Sequence, residues 1–212
     1  MIFNLPSTSP RLLAAIKTAI VALSAGALAV LAAAGYVGAI FTTDQFGTPV
    51  NQNIYQMPGD VYLNGGPNNS TSQGLPPNEI FYFEVSDPSG QTILSTDKAA
   101  CRQVQTDSNG RIAGPYTGSG CWHGSGTLDP TNGGKTVRLW PFSQTPNSGG
   151  EYKVTLVRKN APGVSVDESG NLDYPRAATK TDNFKVVNFV PPTDGNLGSG
   201  GGNTGGGGCC TT

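Results

Sequence analysis

The chain has 212 residues, with 13 Lys or Arg against 14 Asp or Glu and a formal net charge of −1. Residues 1–41 hold two of the basic residues and no acidic ones, so the remainder carries −3 and has no basic stripe, which argues against nucleic acid as a partner. Only 13% of residues are charged while 30 are Gly and 16 are Pro, which suits a small all-β domain with uncharged, turn-rich loops.

The first element is the uncharged run Thr18 to Phe41, placed just after Arg11 and Lys17. A short basic segment before an Ala/Leu/Val-rich stretch is the pattern of an export signal. It predicts an N-terminal hydrophobic helix, with small residues offering cleavage after Ala34 or after Ala39. The competing reading is a retained anchor, because about 20 apolar residues suffice to span a bilayer. Positive charge on its N-terminal side alone leaves the rest outside the cytoplasm in either case. The division is thus 1–41 signal peptide or anchor, 42–58 polar lead-in, 59–191 β-sandwich domain and 192–212 Gly-rich disordered tail. The membrane enters only through residues 18–41, if they are retained, and the protein is expected to be secreted or held at the cell surface.

After the lead-in, Asp60 to Asn64 reads as a strand stopped by Gly65-Gly66-Pro67. Ile80 to Val85 is a run of β-formers, and Asp87-Pro88-Ser89-Gly90 has the residues of a type I turn, returning through Gln91 to Leu94. A second hairpin runs from Cys101 to Gln105, turns at Asp107 to Gly110 and returns through Arg111 to Ala113. A Gly/Ser-rich loop covers 114–134, and Thr136 to Phe142 is the next strand. Glu151 to Arg158 alternates with Tyr152, Val154 and Leu156 on one face. A polar loop at 159–181 precedes the last strand, Asp182 to Val190. Seven or eight short strands without a helical period predict a single antiparallel β-sandwich.

Four cysteines form two groups. In an oxidising compartment Cys101 and Cys121 are expected to form a disulfide, stabilising the fold by about 3 kcal/mol through loop closure. Zinc, with His123 as a third ligand, is the competing reading, and the absence of any C-x-x-C pair argues against it. Cys209 and Cys210 sit at the end of the glycine tail, where neighbours rarely bond to each other, so they are candidates for intermolecular disulfides and a linked multimer. Tyr116, Trp122 and His123 flank Cys121 and are the candidate ligand contacts, for a surface glycan or another exported protein.

Catalysis and cofactors find little support. His123 is the one histidine and no G-x-S-x-G elbow accompanies it. Asp107 to Gly110 and Asp167 to Asp173 contain oxygen-bearing side chains but complete no calcium loop, and turn chemistry accounts for both. Neither cofactor nor metal is expected, and the chain is read as non-enzymatic, with a secreted hydrolase built on converging carboxylates such as Glu79, Glu84 and Glu151 as a further alternative. Asn68-Asn69-Ser70-Thr71 holds two overlapping glycosylation sequons.

Several phrases extend this reading: Val61 to Pro67, Phe81 to Gly90, Leu94 to Asp97, Cys101-Arg102, Pro146 to Val154 and Lys180 to Val186. Over about 130 residues the chain resembles exported bacterial proteins with immunoglobulin-like or prealbumin-like sandwich modules. The resemblance implies a structural or adhesive role and no active site. Related modules of the collagen-adhesin B type often carry a Lys–Asn isopeptide bond. Here Asn183 and Glu84 match the asparagine and the acid, but no lysine falls between Lys17 and Lys98, and the bond is not expected.

Overall fold

A computed structural model describes residues 35–192 except Asn68, Ser70 and Ser119. The expected hydrophobic helix up to residue 34, part of the sequons and the tail cysteines lie outside the described residues. Among the described residues, no helix is long and apolar enough to cross a membrane.

Twelve strands are present among the described residues: β1 (Ile40–Thr43), β2 (Ile54–Tyr55), β3 (Tyr62–Gly65), β4 (Ile80–Ser86), β5 (Gln103–Thr106), β6 (Ile112–Pro115), β7 (Ser125–Leu128), β8 (Lys135–Arg138), β9 (Glu151–Arg158), β10 (Ser165–Val166), β11 (Leu172–Asp173) and β12 (Thr179–Val186). Six of them form one sheet in the order β2-β12-β9-β4-β5-β6, four form a second in the order β1-β3-β8-β7, and β10-β11 is a separate hairpin. The described residues are therefore all-β. Alternation explains the layering: Phe81, Phe83 and Val85 of β4, Tyr152, Val154 and Leu156 of β9, and Phe184 and Val186 of β12 share one core with Ile40, Leu63 and Val137 of the second sheet. At one end Tyr152 stacks on Phe184, with ring centroids 5.1 Å apart, and Phe142 meets both rings edge-on.

Several expectations are corrected. Strands outnumber the seven or eight expected, because β2, β7, β10 and β11 are short segments whose apolar pattern is too brief to read. The sandwich is not wholly antiparallel: β2 pairs parallel with β12, through Lys185 with Ile54 and Val186 with Tyr55. The lead-in at 42–58 contains structure, and β1 runs across the expected boundary at residue 41. Tyr36, Ile40 and Phe41, assigned by hydropathy to the export segment, are buried in the domain. The Tyr36 hydroxyl donates to the Leu156 carbonyl at 2.8 Å, and its ring lies 5.4 Å from that of Phe81.

The turn at Asp87 to Gly90 forms as its residues dictate. Gly90 takes φ +79°, and the Asp87 carboxylate accepts from the Ser89 hydroxyl and from the Gln91 and Thr92 amides. Its return is a single bridge, Ser86 to Ile93, beside the end of β4 that β5 does not reach. The second hairpin is built as expected, with β5 and β6 joined through Asp107 to Gly110.

The loop at 159–178 does not hang in solvent. It folds over the outer face of the six-stranded sheet, where Tyr82, Ala99, Val157 and Ala178 make a second small core against Ala161, Val164, Leu172 and Tyr174. This cover turns the outward residues of β4 into interior ones.

Candidate functional site

The best-defined local chemistry lies where the 3-10 turn Ala99–Cys101 leads into β5 and meets the loop between β6 and β7. Cys101 and Cys121 are bonded, with their Cα atoms 5.2 Å apart. Two residues on, His123 enters the interior and is 4% exposed. Its Nδ1 lies 2.8 Å from the Arg138 carbonyl and its Nε2 lies 2.9 Å from Asp97 Oδ2. Both partners present acceptor oxygens, so the two ring nitrogens are each engaged by the body of the domain. The edge of the ring meets Phe83, with centroids 4.7 Å apart.

Asp97 connects this contact to a chain of alternating charges. Its Oδ1 lies 3.7 Å from Arg102 Nε, and Arg102 Nη1 reaches Glu84 Oε2 at 3.4 Å. Oδ1 of Asp97 and Nε of Arg102 make no hydrogen bond among the described residues and face each other as an ion pair alone. The Tyr174 hydroxyl donates to Glu84 Oε1 at 3.0 Å. Glu84 and Arg102 are 2% and 3% exposed. Burial pushes the Glu84 carboxyl up, against the opposing pull of the Arg102 charge and the Tyr174 and Arg102 hydrogen bonds. Burial also raises the Tyr174 phenol, helped by the adjacent Glu84 charge.

The three candidate contact residues therefore separate. Tyr116 and Trp122 are each 47% exposed and stay available. His123 does not: expected as a ligand contact, it is interior and both of its nitrogens are engaged. Trp140 is half-buried against Phe142 and Phe189 and contributes to packing.

The chain matches no family model, no curated protein and no solved structure.

The metal readings meet specific side-chain chemistry instead. Cys101 and Cys121 use their sulfurs on each other, and no group of three or more His, Cys, Asp or Glu among the described residues is placed to hold an ion. In the two acidic turns the carboxylates serve their own backbone. Asp107 Oδ1 accepts from the Asn109 and Arg111 amides, and Asp167 accepts from the Asn171 amide and side chain. Hydrogen bonds from the Asn171 side chain and amide hold the Asp167 carboxyl below its usual range.

Asp97 and Arg102 were not legible as site residues, because a single charge beside a turn reads as solvent-facing. In the sequence Glu84 alternates with the core residues Phe83 and Val85, a position that faces outward on a strand. The covering loop is what buries it. Asn183 is exposed and pairs across the ladder with Lys153, away from the Glu84 contact with Arg102.

Proposed function

We propose that this is an exported, non-enzymatic β-sandwich protein with a structural or adhesive role at the bacterial surface or in the extracellular matrix, and that it makes contact through the loop carrying Trp122. One observation carries the reading. Both neighbours of Trp122 are fixed to the body, Cys121 by the disulfide and His123 by two hydrogen bonds, yet the indole between them is about half exposed. An apolar ring held rigid in water loses little conformational freedom on binding, which favours a recognition role over a packing one. The engagement of His123 supports the non-enzymatic reading, since the one imidazole of the chain is not free to shuttle a proton. The disulfide agrees with export, and the resemblance to immunoglobulin-like or prealbumin-like surface modules agrees with adhesion. Intermolecular bonding through Cys209 and Cys210 belongs to the same picture and lies outside the described residues.

A second reading, a carbohydrate-binding module, is favoured by the exposure of Tyr116 together with Trp122. Aromatic rings stack on sugar faces as readily as they anchor protein contacts. Binding of the full chain to a glycan array and to extracted matrix proteins separates the two. Glycan binding lost in Trp122→Ala, with an unchanged circular dichroism spectrum, selects the module. Protein capture lost in the same variant selects the adhesive role. Ligand binding that Trp122→Ala leaves intact removes the loop from both.

A further inference from the structure

A groove of about 400 Å³ opens on the outer face of the six-stranded sheet, between the turn after β4 and the segment leading into β12. Its floor includes Thr155 of β9 and Thr181 of β12, which sit directly opposite each other in the ladder. One wall carries Tyr174 and Arg176, and the other carries Ser89 with Lys153 beside it. The chain as a whole is acidic, yet none of the eight residues lining this groove is. Neither Lys153 nor Arg176 has a carboxylate within 4.0 Å among the described residues. The acids close by are already engaged: Glu84 with Arg102 and Tyr174, and Asp87 with Ser89 and its own turn.

We propose that this groove binds an acidic saccharide, with Lys153 and Arg176 holding its oxyanion. A guanidinium grips two oxygens of a carboxylate or sulfate at once, and an ammonium adds a point charge from the other side. The Thr181 hydroxyl matches a ring hydroxyl of a sugar, and the Tyr174 ring supplies an apolar flank. The open rim admits one residue of a longer chain. This site stands apart from the Trp122 loop and does not depend on it.

The test titrates the isotope-labelled full chain with an oligogalacturonate, a sulfated galactan oligomer, a neutral galactan oligomer and inorganic sulfate, following amide shifts by NMR. The two acidic oligomers should shift Lys153, Thr155, Thr181 and Arg176, and binding should weaken with salt. Lys153→Gln and Arg176→Gln should each weaken it roughly tenfold, as expected for loss of a charge-assisted bond. Lys135→Gln on the other sheet should leave it unchanged. Equal binding of the neutral oligomer, inorganic sulfate binding as tightly as the oligomers, or an equal loss in Lys135→Gln would each overturn the proposal. So would an absence of shifts at these four residues.

Discussion

At the residue scale, the buried ion pair between Arg102 and Glu84 is the least replaceable contact. An arginine and a glutamate that are almost wholly buried gain little over an apolar pair, but removing one partner strands the other. Arg102→Met should therefore cost about 3–5 kcal/mol in a urea titration. A loss under about 1 kcal/mol would mean that Glu84 finds water or another partner once the guanidinium is gone. Asp87 shows the opposite economy, only partly buried in its own turn. Hydrogen bonds from Ser89, Thr92, Gln91 and Gly90, the Ser89 hydroxyl foremost, hold its carboxyl below the usual range. Its stabilising contribution is present above the unfolded value of about 3.9 and is lost as pH falls through the lowered folded value. Asp87→Asn keeps an acceptor without the charge, so its urea midpoint should fall less than that of the parent between about pH 5 and about pH 3. Parallel curves would assign the acid sensitivity to other carboxylates.

At the element scale, the N-terminal strand is held by polar contacts as well as by packing. The Thr42 amide and hydroxyl both donate to Asp182 Oδ2, at 2.7 and 3.1 Å, so a carboxylate from one sheet caps the outer edge of the other. Just before β1, Tyr36 supplies a buried ring and a hydroxyl bonded to β9. Tyr36→Ala should cost about 3–5 kcal/mol, as for other large buried aromatics, and Tyr36→Phe only about 1 kcal/mol. The same contacts bear on export. Processing after Ala34 preserves Tyr36, whereas processing after Ala39 removes it together with the backbone bond from Gly66 to the Ala39 carbonyl. If the proposed export includes cleavage, N-terminal sequencing should therefore begin at Gly35; a start at Ile40 would show that the domain tolerates losing its first buried ring, and an intact N-terminus would select the retained anchor.

At the scale of the whole molecule, the disulfide and the His123 contacts fasten one loop twice. Cys101→Ser with Cys121→Ser removes the covalent closure and should lower stability by about 3 kcal/mol. The contacts of His123 with Asp97 and Arg138 do not involve the sulfurs, so the amide shifts around residue 123 should change little in that variant. Wholesale change there would show that the disulfide positions the histidine.

Much of this protein was determined by the sequence alone. Local physics sufficed for the β class, for the turns at Asp87 to Gly90 and Asp107 to Gly110, and for β9, whose eight residues match the alternating run from Glu151 to Arg158. In each case the deciding contacts lie within a few residues of one another. Pairing Cys101 with Cys121 needed only a count and a compartment. Tertiary structure decided the rest, because burial depends on which segments cover which faces. The 159–178 segment seals Glu84 and Tyr82, the sandwich takes in Tyr36 and Ile40 from a stretch that hydropathy assigns to a membrane signal, and His123 turns inward while Trp122 beside it stays out. An apolar run offers the same hydrophobic gain to a bilayer and to a core, and a lone charge costs nothing until something closes over it.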